Sequence, residues 1–276
     1  GKEIMFSGST IKVEGNNTIT VDENSNSRKH PSYNYYQYYG IFVNSSDALT
    51  ISGKGSLTLN IDTTKIGDEI DCRTLGIATG GNLIIKEEVK ITLNANVKNY
   101  RGTAISTYDL SIIDSASIDI TMNGDIISAK NITFSGVGEK KIKIKTTDSY
   151  FKCLDANKGF VDISGTGKVA IDVENGKNTW VITAHDNYIK IHDNANVEIN
   201  GGFYGFYNWY DYAPTNHTGI EITDSTVKII SSSDKSETSA FITTGNQKIT
   251  IKNSVVTAES PKNVFSCRPE TVLELL

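Results

Sequence analysis

Four histidines, three cysteines and one dense run of acids are the side chains of this 276-residue chain best suited to chemistry. His185-Asp186 and His192-Asp193 lie seven residues apart, which suits two successive turns and predicts solvated turn residues. His30 and His217 fall in long polar segments, and no zinc-ligand spacing occurs. Cys72, Cys153 and Cys267 are far apart with no CxxC, so at most one disulfide can form and small buried thiols are expected. In DTTKIGDEIDCR, the carboxylates Asp62, Asp68, Glu69 and Asp71 are close enough for a loop over 62–71 to take Ca²⁺ with added carbonyl ligands. Their spacing matches no known calcium loop, and a solvated acidic loop is the simpler expectation. No other cofactor is implied.

The aromatic residues are the less ordinary feature. Of 13 tyrosines, five fall in YNYYQYY (33–39) and four in FYGFYNWYDY (203–212), beside Trp209. Both tracts adjoin long polar insertions, 22–39 and 209–218, where a bare scaffold would use Ser, Asn and Gly. Tyr100, Tyr150, Phe151 and Trp180 stand in other connections of the same kind. An aromatic ring offers an apolar face, and tyrosine adds a hydroxyl at its rim. A sugar can stack its C–H face on the first and reach the second with its hydroxyls. The candidate carbohydrate-binding residues are therefore Tyr35, Tyr36, Tyr38, Tyr39, Trp180, Tyr204, Tyr207, Trp209 and Tyr210. The competing expectation is that these rings pack the insertions onto the scaffold.

What must position them is a repeat. The chain is rich in Ile, Val, Thr, Ser, Asn and Asp, has 23 Gly, and has only 4 Pro. β-Branched residues suit strands, while Asn, Asp and Gly suit tight turns. No stretch keeps a 3.6-residue apolar period, so the chain reads as all-β. One phrase recurs: a small or apolar pair, a polar turn, then two strands of alternating apolar residues separated by a turn. GIFVNSSDALTISGKGSLTLN (40–60) and GIATGGNLIIKEEVKITLN (76–94) show it clearly, and eight copies span 40–260. Their first strands are anchored at Ile41, Ile77, Ile105, Ile127, Leu154, Ile182, Phe206 and Phe241, at intervals of 22 to 36 residues. Three short strands and three turns fit the shortest interval, and variable intervals then mean insertions between strands.

The phrase resembles the right-handed parallel β-helix, or pectate-lyase-like, superfamily. In style it is most similar to secreted carbohydrate-binding or adhesin-type β-helix proteins of Gram-positive gut bacteria, with TGIEITDSTVKI and KITIKNSVVTAES carrying the likeness. The resemblance implies an all-β, right-handed, single-stranded parallel β-helix of nine or ten coils, secreted or held at a bacterial surface. Residues 1–22 read as an atypical capping coil and 261–276 as a partial one, as in a single domain cut from a longer surface protein. The superfamily's pectinase motifs NTD, GHG and RIK are absent.

Function then rests on the wall. A glycosidase needs two carboxylates across the scissile bond. The outward row beside the anchors reads Phe42, Ala78, Ser106, Ser128, Asp155, Thr183, Tyr207 and Ile242, with one carboxylate. That favours an extracellular carbohydrate-binding or adhesin-like module, monomeric, with a polysaccharide or surface glycan as partner. A polysaccharide lyase or glycoside hydrolase, and a ligand-free structural stalk, are the alternatives. The net charge of −5 with dispersed lysines speaks against nucleic acid. No apolar run reaches the roughly 20 residues of a membrane helix.

Overall fold

A computed structural model describes the chain except for residues 1–4, 7–8, 26, 30–34, 44–45, 68–69, 146–149, 175–176, 210–216, 245–246 and 268–271. Its strands form three sheets of eleven, ten and nine members, and successive strands visit the sheets in rotation. The chain is thus an all-β solenoid, a parallel β-helix in which each coil but the last gives a strand to all three sheets. Among the described residues every strand pair is parallel except Arg28–Lys29, which folds back antiparallel on Tyr36 and Gln37. Among the described residues no helix is long and apolar enough to cross a membrane.

The anchors stack in one continuous row. Ile41 pairs with Ile77, Ile77 with Ile105, Ile105 with Ile127, and Ile127 with Leu154. Leu154 then pairs with Ile182, Ile182 with Phe206, Phe206 with Phe241, and Phe241 with Phe265. The side chains of Ile77, Ile105, Ile127, Ile182 and Phe241 have no solvent exposure. Aliphatic rows from the other two sheets meet them in a single core.

Below, coils are numbered by their first-sheet strands: coil 1 at Met5–Phe6, coil 2 at Tyr36–Val43, coil 3 at Cys72–Thr79, coil 4 at Gly102–Ser106 and coil 5 at Asp125–Ala129. Coils 6 to 10 follow at Phe151–Ala156, Thr179–His185, Tyr204–Trp209, Ser239–Thr243 and Asn263–Cys267.

Three details differ from the sequence reading. The strand of coil 2 starts at Tyr36, so the YQYY segment belongs to the wall and not to the insertion before it. The third-sheet register pairs Ile118 with Lys140 and Ile120 with Ile142, which sets Lys140 in an aliphatic row. Cys72 and Cys153 are buried thiols as expected, whereas Cys267 is exposed on coil 10.

The charge ladders follow the register. Asp162, Lys190 and Glu221 are successive partners, and Glu198 pairs with Lys228 at 3.7 Å. Such exposed pairs contribute a few tenths of a kcal/mol each, roughly.

Candidate functional site

Strand alternation fails once per coil on the first sheet. Each anchor follows a second buried residue: Gly76 before Ile77, Ala104 before Ile105, Ile126 before Ile127, Cys153 before Leu154, Val181 before Ile182. With two adjacent residues turned inward, outward positions fall one residue after the anchor and also two residues before it. The first row is the one with a single carboxylate. The second, missed by simple alternation, runs through Tyr39, Leu75, Thr103, Asp125, Lys152, Trp180 and Tyr204.

The two rows bring four titratable groups together on coils 5 to 7. Lys152 donates from Nζ to Asp155 Oδ2 at 3.0 Å, and its backbone N–H donates to Asp125 Oδ1 at 3.0 Å. His185 reaches back from coil 7, placing Nε2 3.2 Å from Asp155 Oδ1. It is half-buried, not a solvated turn residue. His192 likewise lies on a strand, 3.1 Å from Asp162. The Lys152 ammonium also sits 5.4 Å from the centre of the Trp180 ring.

The two carboxylates have opposite surroundings. Burial pushes the Asp125 carboxyl above the usual range; the Lys152 backbone N–H only partly offsets this, and the Asp155 charge adds to the rise. Burial would raise Asp155 as well, but the His185 imidazole and Lys152 ammonium outweigh it and hold that carboxyl low.

This cluster lies in a groove. One cavity, about 380 Å³, is lined by Asp125, Tyr150, Phe151, Lys152, Asp155 and Trp180. A second, about 340 Å³, shares Asp125, Tyr150 and Phe151 and extends past Arg73, Tyr100 and Arg101 to Tyr35. Together they follow the solenoid axis along the first sheet.

The predicted aromatics divide accordingly. Tyr35 lines the groove's far end and Trp180 its near end. Tyr36 and Trp209 are exposed, Tyr39 packs on Phe42 with ring centres 4.3 Å apart, and Tyr207 stands 4.8 Å from Trp180. Tyr38 is 5% exposed in the main core, because it faces inward on its strand. Tyr204 is 8% exposed in a smaller cluster with Phe203 and Ile242, and its hydroxyl donates to Glu237 at 3.3 Å. Tyr210 lies outside the described residues. The tracts themselves are not brought together: coils 2 and 8 are six steps apart, roughly 29 Å at the spacing of paired strands. Sequence reasoning missed Tyr150, 72% exposed at the join of the two cavities, as a site residue.

Two carboxylates of the acidic loop have partners. Asp62 accepts from the Thr64 N–H and hydroxyl, and Asp71 pairs with Arg101. The carbonyls of Ile66 and Gly67 accept from the buried Lys98 ammonium. Asp68 and Glu69 are outside the described residues. Among the described residues no three His, Cys, Asp or Glu side chains group as a metal site.

Comparison with described protein families, with curated proteins and with solved structures returned no match in any of the three.

Proposed function

We propose that this protein is an extracellular carbohydrate-binding or adhesin-like β-helix module, which holds an extended glycan along the outer face of its first sheet. The observation that carries this reading is the axial groove from Tyr35 to Trp180, with rings at both ends and polar groups between them. Aromatic faces suit the C–H faces of successive sugars, and a groove several coils long suits a chain better than a small molecule. Secretion and a bacterial surface location belong to the same proposal.

Retention on insoluble polysaccharides tests it. Tyr150 is largely exposed, so Tyr150→Ala is expected to leave the melting temperature within about 1–2 °C, as surface changes usually do. Retention is expected to fall severalfold. A wild-type protein that no polysaccharide retains would favour the ligand-free stalk.

A second reading, polysaccharide hydrolysis or lyase chemistry, is favoured by Asp125 and Asp155. Environments that push two neighbouring carboxyl groups apart in acidity are how sites separate a proton donor from an ionised partner. The same incubations, read for new reducing ends and for unsaturated-product absorbance, decide it. Turnover that vanishes in Asp125→Asn while retention persists would make the protein an enzyme.

A further inference from the structure

A cavity larger than either part of the groove, about 680 Å³, lies over the third sheet and shares no lining residue with the groove. It is a trough between two rails of outward side chains. One rail is Thr20, Asn60, Asn94 and Thr121, register partners from coil 1 to coil 4. The other stands two residues further along the chain in each coil, at Asp22, Asp62, Asn96 and Asn123. Val21, Ile61 and Ala95, turned inward between the rails, form the floor. Three coil steps make the trough roughly 14 Å long, parallel to the solenoid axis.

Two features set this stretch apart from the rest of the wall. The first rail is uncharged along the trough and turns charged beyond it, at Lys143 and Asp172 on coils 5 and 6. Several of the lining side chains are also held in place. Asn94 Nδ2 donates to Asn60 Oδ1 at 3.1 Å, which leaves the Asn60 N–H groups and the Asn94 carbonyl oxygen for a ligand. The Thr64 N–H and hydroxyl both donate to Asp62 Oδ1, at 3.0 and 2.6 Å. The Asn123 amide accepts from the Val97 N–H at 2.6 Å and donates to the Val97 carbonyl at 3.1 Å. Side chains already fixed lose little freedom when a ligand arrives. Asp62, Asn94 and Asn96 are exposed, so a ligand reaches them directly.

We propose that this trough is a second glycan site, which takes an uncharged polysaccharide through its hydroxyls. The site is separate from the groove and does not depend on it. An amide both donates and accepts, as a hydroxyl does, so a rail of Asn and Thr meets a sugar hydroxyl in either sense. Ionised carboxylates only accept, and the Thr64 hydrogen bonds hold the Asp62 carboxyl below the usual range. Asp22 and Asp62 stand on adjacent coils, so the trough favours hydroxyl donors and repels a uronate or sulfated chain. Among the described residues Lys145, at the far end on coil 5, is the one cation in the lining, and no aromatic ring lines it. The sugar is thus held edge-on by hydrogen bonds here, whereas the groove stacks it. Sites on two faces of one solenoid let a single module join two chains.

Titration with soluble sugars tests it, using cellohexaose and mannohexaose as neutral probes and hexagalacturonate as the anionic one. Asn96→Ala and Thr121→Val together remove one hydrogen-bonding group from each rail. Both positions face outward on the wall, so the pair is expected to leave the melting temperature within about 1–2 °C. Tyr150→Ala serves as the background, because it weakens the groove alone. That variant is expected to bind a neutral hexaose, and the two added changes to weaken the binding about tenfold. Undiminished binding after both changes would overturn the trough as a site. If wild type binds a neutral probe and Tyr150→Ala binds none, the affinity belongs to the groove, and the trough falls while the groove stands. A loss from the two trough changes with none from Tyr150→Ala would keep the trough and count against the groove. Preferential binding of hexagalacturonate in the Tyr150→Ala background would overturn the selection of uncharged chains. Binding of no probe by wild type would overturn the trough and remove support for the groove as well.

Discussion

Lys140 occupies a position where its partners on the adjoining coils are Ile118 and Val169. Its side chain is 1% exposed, and Nζ donates to the carbonyls of Ser135, at 3.1 Å, and Gly138, at 2.7 Å. Burial pushes its pKa down to about 8, so the folded state disfavours the ammonium. Below pH 8 both folded and unfolded chains carry the proton, and the cost of burying the charge is present in full. Between that value and the unfolded pKa near 10.5 the unfolded chain binds more protons, so stability rises with pH. Lys140→Met removes the titration. The stability of wild type relative to this variant is expected to increase by roughly 2–3 kcal/mol between pH 7 and pH 10.5. Urea unfolding of both proteins across that range measures it, and a difference that stays flat with pH would show that the ammonium keeps its hydration.

The turns between second- and third-sheet strands carry their own constraint. Gly136 has φ of +85°, and a Cβ there would lie 2.0 Å from the Asp114 carbonyl oxygen of the preceding coil. Gly165 occupies the equivalent place on the next coil, over Gly136. Gly136→Ala is expected to cost about 2–3 kcal/mol, combining a left-handed backbone with a clash against main chain, and to lower the melting temperature by several degrees. An unchanged melt would mean that the turn can open without disturbing its neighbours. At this scale most of the fold was legible in the sequence. In a solenoid the short-range pattern is also the long-range pairing, so Ile105, Ile127 and Ile182 could be placed in one buried row from spacing alone. The candidate site was only half legible. Strict alternation gave the row containing Asp155 but hid the row of Asp125 and Lys152, because the doublet before each anchor turns two successive residues inward. Aligning the copies on their anchors and reading two residues back would have exposed it. Lys140 escapes a reading by pattern for a related reason: in KKIKIK, residues 140, 142 and 144 share a face, and hydrophobicity alone selects only the last two. His185 and Asp155 meet through side chains that cross between coils, which no pattern along one strand displays.

Among the described residues, and apart from the antiparallel Arg28–Lys29, strands pair from each coil to the next, and the longest connections lie at corners. Stability in such an array is close to a sum over coils and their junctions. The shortest repeat, residues 105–126, joins Ala104 to Ile127 when excised, and places Asn131–Phe134 over Leu83–Ile85 and Lys140–Lys145 over the strand Lys90–Asn96. The shortened chain is expected to keep its β-sheet circular dichroism and a cooperative melt, lowered by no more than about 10 °C. Collapse to an unfolded chain would show that coil 4 is indispensable to its neighbours. The interchangeability of the junctions also makes the protein a ruler. Adding or removing one turn shifts the interval between Tyr35 and Trp180 by a fixed increment, roughly 4.8 Å, without redesigning either end. A lineage could thus fit the groove to longer or shorter stretches of its ligand by duplicating or losing a coil between its two ends, changing reach in discrete steps of one strand spacing.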